Sequence, residues 1–201
     1  MKHKNSHLLV GYWSRLRKGR EAPPPAAIAN GEVSPDSLGA YSHRAVTWLE
    51  GTYVTVRPSF GDTETIYAYR TDIAWDAASS SLVFREGERL DAAYTQYGEV
   101  AVPNQSGHIY LVTNRHGQHR MIVVARPTIG GEMHGILTTL VSGKGAHLSP
   151  VATPIVLKQI RPGDIPSYGR IAPGHPAHPR YAALLGKTLD DQFATFLPGI
   201  A

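Results

Sequence analysis

Between residues 51 and 158, short apolar runs alternate with turn residues at a spacing too tight to admit helices. Eight segments carry the pattern: TYVTVR (52–57), ETIYAYRTDIAW (64–75), SLVFRE (81–86), EVAVP (99–103), HIYLVTN (108–114), HRMIVVAR (119–126), MHGILTTLV (133–141) and TPIVLK (153–158). Runs of β-branched and aromatic residues bounded by Gly, Pro, Asn and Asp read as strands. So many in succession predict an antiparallel sheet curled into a barrel or sandwich. In the second run Tyr67, Tyr69, Thr71, Ile73 and Trp75 fall on one face, and Ile66, Ala68, Arg70, Asp72 and Ala74 on the other. The runs flanking residues 115–118 predict a hairpin.

The flanks carry a different period. Leu8, Leu9, Tyr12, Trp13 and Leu16 make one face of a helix over 7–19, which Pro23, Pro24 and Pro25 terminate. A second helix is expected from Ser34, an N-cap residue followed by Pro35 and Asp36. Leu38, Tyr41, Ala45, Trp48 and Leu49 form its apolar stripe, and Gly51 is its stop. Beyond Arg161 the chain turns rich in Pro and Gly, an irregular arm. A short helix within 179–197 then closes it through Tyr181, Leu184, Leu185, Leu189, Phe193 and Phe196. The expected fold is α+β and mainly β, with about eight antiparallel strands in a barrel or strongly curved sheet, a PAS-like sheet being the alternative. It divides into a helical segment (1–50), a β domain (51–160) and an arm with its helix (161–201).

Composition narrows the chemistry. In 201 residues, 42% are hydrophobic and 18% charged, enough for one domain with a sizeable core. The absence of cysteine excludes disulfides, thiolate ligands and a cysteine nucleophile. No apolar run approaches the ~20 residues of a membrane span. Leu8–Gly11 is too short for the core of a secretory signal, so a cytoplasmic location is the expectation. The net charge of +4 is uneven: residues 1–20 hold Lys2, Lys4, Arg15, Arg17, Lys18 and Arg20 with no acid, leaving the rest nearly balanced. The β region is therefore not a basic nucleic-acid platform.

No motif supplies a catalytic set. A Gly-x-Ser-x-Gly elbow, a P-loop and a dinucleotide fingerprint are all missing. His175 and His178 lack the third ligand of a metal site, and His108, His116, His119 and His134 read as surface and turn histidines. Glu86 and Glu88, at a strand end, and Asp190 and Asp191, on a helix, are tied to no pocket. No cofactor is implied. The aromatic set Tyr53, Tyr67, Tyr69, Trp75, Phe84 and Tyr110 is either the core of the sheet or the wall of a cavity. Arg70 and Asp72 share a face in mid-strand, and a charged pair there either meets solvent or lines a polar pocket. The ligand-binding candidates are accordingly Arg70, Asp72, Tyr67, Tyr69, Tyr110 and His108.

The segment LLVGYWSRLRKGREAPPPAAI (8–28) resembles the leading segment of bacterial PAS-like sensor proteins. EGTYVTVRPSF, IYAYRTDI, GHIYLVTNRHG, MHGILTTL and SPVATPIVL are similar to the sensor half of bacterial helix-turn-helix regulators. The resemblance implies a sensing role and carries over no site residue. Residues 27–34 hold a turn like that of a helix-turn-helix with one residue too many. The first expectation is thus a cytoplasmic sensor or regulatory module with a small molecule in a β-lined pocket. Its partners would be that ligand and a second copy of the chain, with no membrane involved. The alternatives are a small enzyme using a His, Arg and Asp cavity, and a regulator binding DNA through the basic N-terminus.

Overall fold

The computed structural model describes residues 32–62, 64–90, 95–115, 118–142 and 147–197. The helix expected over 7–19, the basic residues 2–20 and the first part of the helix-turn-helix-like stretch lie outside the described residues. Eight strands follow one another along the chain: β1 (Gly51–Pro58), β2 (Ile66–Asp76), β3 (Ser81–Gly87), β4 (Tyr97–Ala101), β5 (His108–Arg115), β6 (Gln118–Ala125), β7 (Glu132–Ser142) and β8 (Leu148–Gln159). Each pairs antiparallel with the next. Because β1 also pairs with β8, through Tyr53↔Gln159 to Val56↔Val156, the meander closes into a barrel. A ninth strand, β9 (Gly169–Ile171), lies in the arm that was expected to be irregular, and it pairs with Ile66–Ala68 of β2.

The alternation expected for β2 holds. Tyr69, Thr71 and Ile73 are buried inside the barrel, in register with Thr55, Tyr53, Glu86 and Phe84 of the neighbouring strands. The interior is apolar through most of its length, with Tyr53, Ile73, Leu82, Phe84, Ile109, Leu111, Ile122, Met133, Leu137, Ile155 and Leu157 in one cluster. Outside, Val54, Val56, Ile66, Ala68 and Val156 meet Ile171 and a C-terminal helix, α2 (His178–Asp190), through Ala177, Tyr181 and Leu185. Hence β1 is buried on both faces, which is why Tyr53 to Arg57 read as a near-continuous apolar and β-branched run.

One end of the barrel is stopped by the segment before β1. The single helix expected from Ser34 to Gly51 is instead a 3₁₀ turn (Asp36–Leu38), a one-turn α1 (His43–Val46) and a second 3₁₀ turn (Thr47–Leu49). Gly39 and Ala40 break it with left-handed backbone, and a Val33↔Ser42 bridge holds the chain doubled back. Gly39 is required twice over: its φ is 112°, and a Cβ there would stand 2.5 Å from the Val102 carbonyl oxygen. Ser34 caps no helix; its hydroxyl accepts the Tyr41 amide at 3.0 Å. Leu38, Tyr41, Val46 and Leu49 plug the end, whereas Trp48 of the expected stripe is exposed. The Tyr41 hydroxyl donates to Val100 O at 2.5 Å and accepts the Leu82 amide at 3.0 Å, fastening the plug to two strands.

Candidate functional site

The opposite end of the barrel is chemically different. Continuing the inward-facing rows past the apolar layers, β1 presents Arg57, β2 presents Tyr67 and Tyr69, β3 presents Glu86, β5 presents Thr113 and β6 presents Arg120. The Glu86 side chain is completely buried. It accepts from Arg89 Nη1 at 2.6 Å and from Arg120 Nη1, and the second Arg120 nitrogen donates to the Tyr69 hydroxyl at 2.9 Å. Both arginine side chains are about nine-tenths buried. Two of the guanidinium groups lie over aromatic rings: Arg57, whose Nη1 donates to the Pro58 carbonyl at 2.9 Å, is 4.3 Å from the ring centre of Phe60 and 5.1 Å from that of Tyr67, and Arg89 is 4.9 Å from that of Tyr69.

The electrostatics follow from burial. Burial first, and the Glu86 carboxylate second, push the Tyr69 hydroxyl above its ordinary pKa, so it stays protonated and can accept from Arg120. Burial alone would lower the Arg120 pKa, but Tyr69 and Glu86 more than offset it and the guanidinium stays charged. This network opens onto a cavity of about 620 Å³ bounded by Arg57, Phe60, Arg89, Gln96 and Arg120 on one side and by Leu137, Thr139, Leu140, Val141 and Leu148 on the other. The second wall exists because β7 and β8 stay paired out to Ser142↔Leu148, beyond Thr138, the last β7 residue paired with β6. Their hairpin overhangs the mouth. A smaller cavity of about 530 Å³ shares Arg57 and Phe60 and reaches the exposed Arg170–Asp62 pair. A cavity of about 660 Å³ lies on the outer wall at β3 and β4, beside Asp76. That carboxylate is already taken by the amides of Ala78 and Ser79 and by the Ser79 hydroxyl.

The six candidates from the sequence are divided between the two faces of the wall. Tyr67 and Tyr69 face the mouth. Arg70 and Asp72 belong to the outer row with Ile66 and Ala68, where they pair at 2.9 Å with more than a third of each side chain exposed. Asp72 is further held by the Thr52 hydroxyl at 2.7 Å. Tyr110 and His108 are also on the outer row, alternating with buried Ile109 and Leu111. Glu86, set aside in the sequence as a strand-end carboxylate tied to no pocket, lies at the mouth, and Arg57, Arg89 and Arg120 were not singled out. Their signal was parity: Glu86 is in phase with Leu82 and Phe84, and Arg120 with Ile122 and Val124.

Among the described residues, which do not include His116, the histidines do not gather. His108 and His119 sit near opposite ends of their hairpin, opposite Ala125 and Asn114. His178 Nε2 is bound to the Glu64 carbonyl at 2.8 Å, and His175 Nδ1 accepts the Ala177 amide. Among the described residues no group of His, Asp and Glu could hold a metal ion. No described helix is long and apolar enough to cross a membrane, a fact that does not speak to strands.

His134 is no surface residue. It is fully buried between the outer wall and α2, with Nδ1 2.9 Å from the Thr188 hydroxyl, its ring stacked on Phe193 at 4.7 Å, and Nε2 without a hydrogen-bond partner. Burial lowers its pKa below 6.5; Lys187 and Lys158 push the same way, while Glu132 and Asp191 oppose. Since the native state then binds fewer protons than the unfolded chain, stability falls as pH drops from about 6.5 towards the depressed native value. Glu132, held near a pKa of about 2 by Lys158 and Thr128 against its own burial, stays ionised through that window. Unfolding free energies from urea titrations between pH 7 and 5 should fall by up to about 1.4 kcal/mol per pH unit in the wild type. His134→Leu should flatten the dependence.

No protein family matches the chain, and neither a curated protein nor a solved structure is similar to it.

Proposed function

We propose that this protein is a binding module, a sensor in the simplest reading, that takes up a small molecule at the charged mouth of its barrel. One observation carries the reading: the buried Glu86–Arg89–Arg120–Tyr69 network stands beside a cavity of about 620 Å³ in a barrel whose interior is apolar through most of its length. Charges withdrawn from water cost several kcal/mol each in desolvation, and a well-packed apolar set would serve stability as well or better. Perturbed ionisable groups lining a concavity are the usual mark of a binding site. The plugged end and the filled core make the mouth the accessible end of the barrel. Outside, α2 rests on β1 and β2, which carry Arg57 and Tyr67 inside, and on β7 and β8. Ligand-induced shifts would therefore reach the C-terminal segment directly, a short relay for a sensor.

Native mass spectrometry of the purified protein, before and after incubation with a small-molecule extract, tests the reading. A discrete non-covalent mass is expected, lost in Arg57→Gln and retained in Arg70→Ala. The second variant removes only an exposed ion pair and should cost no more than about 1 kcal/mol of stability. A bound ligand at a hundredfold excess over its Kd should also raise stability by about 2.7 kcal/mol. Apo mass throughout, or loss of the ligand in Arg70→Ala alone, overturns it.

A further inference from the structure

We infer that the end of α2 is an acid-released latch. When His134 takes up a proton, residues 187–197 leave the outer wall while the barrel stays closed. The latch is independent of the binding role proposed for the mouth. Thr188 fixes which nitrogen can take the proton. Its hydroxyl donates to the Leu184 carbonyl at 3.2 Å, so it accepts from His134 Nδ1, 2.9 Å away. The hydrogen of the neutral ring therefore sits on Nδ1, and Nε2 carries a bare lone pair, buried and without a hydrogen-bond partner. A proton added there would make a buried charged donor with nothing to accept it, a cost that opening relieves. The charged groups around the ring are Glu132 on its own strand, Lys158 on β8, and Lys187 and Asp191 at the end of α2. Glu132 pairs with Lys158 at 2.6 Å and Asp191 with Lys187 at 3.9 Å, so each carboxylate already faces a lysine.

What opens follows from how α2 is fastened. Its first half is anchored. Tyr181 is fully buried, its hydroxyl accepts the Ser167 amide and donates to the Ser167 carbonyl, both at 3.0 Å, and Leu185 packs on the outer wall. Gly186 follows, a residue that weakens a helix interior. Beyond it the hold is thin. The chain turns back through Gln192, whose φ is 57°, and the Ala194 amide returns to the Thr188 carbonyl at 3.1 Å. Within 189–197, Ala194 is buried and Phe193 half-buried, whereas Leu189, Phe196 and Leu197 are exposed. Phe193 lies on the His134 ring, centres 4.7 Å apart and planes 14° from parallel, and covers that face of an imidazole with no exposed surface. Lifting so lightly held a segment costs far less than opening the barrel. Once it lifts, Nε2 meets water and protonates like an ordinary histidine, so acid favours the open form.

Hydrogen exchange read by mass spectrometry on the full chain at pH 7.5, 6.5 and 5.5, with rates corrected for the intrinsic effect of pH, tests the latch. Protection of peptides from residues 187–197 should fall by up to about tenfold per pH unit below about 6.5. Protection in β5 and β6 should remain roughly a hundredfold or more above that of 187–197 at every pH. In His134→Leu the fall should vanish. Phe193→Ala, which removes the cover and leaves the histidine, should expose 187–197 at all three pH values and flatten the dependence as well. That variant decides the matter if His134→Leu fails to fold. Protection of 187–197 that does not change with pH in the wild type overturns the latch, as does a fall that persists in His134→Leu or full protection in Phe193→Ala. Exchange of 187–197 in step with β5 and β6 also overturns it, because the segment then opens only when the whole barrel does.

Discussion

Replacing Glu86 by alanine will destabilise the barrel by about 3–5 kcal/mol, because it leaves Arg89 and Arg120 buried beside each other without the carboxylate that pairs them. Against a total stability of about 5–15 kcal/mol for an ordinary domain, that is enough to unfold part of the population. The cost belongs to the stranded cations rather than to the lost bonds. A double variant, Glu86→Leu with Arg120→Met, should therefore recover the part of the loss that Arg120 accounts for, with Arg89 still in place. Urea unfolding reads both, with a lowered midpoint at unchanged slope in the single variant and a partial return in the double one. If Glu86→Ala unfolds within 1 kcal/mol of the wild type, the network is not closed to water and its placement deep in the mouth is wrong. Since the double variant would also remove part of the charged floor, it should fold and fail to bind, separating the structural role of the network from its binding role.

Gly135→Ala should be nearly as damaging, although it adds one methyl group. In β7 this residue faces the barrel interior opposite Ile155, and a Cβ there would stand 1.9 Å from the Val123 carbonyl oxygen and 2.7 Å from the Val124 Cα. Both obstacles are backbone of β6, so no side chain can rotate away. The two strands would have to part there. Overpacking ordinarily costs about 1–3 kcal/mol, and here the value should sit at or above the upper end. Gly107→Ala is the matched control. Nothing lies within 4 Å of its Cβ position, and the change should stay within about 0.5 kcal/mol. Equal melting temperatures for the two variants would show that Gly135 is not at a corner of the barrel. Gly98 stands in the same relation to Val112 across β4 and β5, its own Cβ position 2.0 Å from that carbonyl oxygen. Two inward glycines on well-separated strands let the wall bend sharply inward.

The strands were legible because each carries its own alternation within about eight residues, a local signal that closure of the barrel does not alter. Closure was one of the outcomes the runs allowed, a barrel or a strongly curved sheet, and the runs alone did not choose between them. It depends on β1 meeting β8 from across the chain, and no residue near Tyr53 announces Gln159 as its partner. The plug misled for a related reason: Ser34, Pro35 and Asp36 are sound helix-start residues, but Gly39 and Tyr41 are committed to Val102, Val100 and Leu82, contacts that local propensity cannot see. The site shows the same division. Arg70 with Asp72 drew notice as a charged pair in a strand, yet their neighbours of equal parity, Ile66 and Ala68, pack under α2 on the outer wall. Glu86 and Arg120, each in phase with the apolar side of its own strand, held the information. Reading them correctly required knowing that the apolar side was an enclosed interior. His134 was likewise hidden, since the side of β7 it occupies is buried only by a helix some fifty residues further on.

The doubly buried β1 has a bearing on how the chain comes to be folded. Of the eight strands it is the first made, and its pairing with β8 spans about a hundred residues, so loop closure opposes that contact more than any adjacent pairing. Its outer face waits longer still, for β9 and α2. Until both arrive, a run of β-branched and aromatic residues with unpaired backbone on one edge is open to any other strand in the vicinity. Folding dominated by such non-local pairing belongs to the millisecond-to-second class, and during that interval the run from Tyr53 to Arg57, in the end buried on both faces, is its most vulnerable stretch.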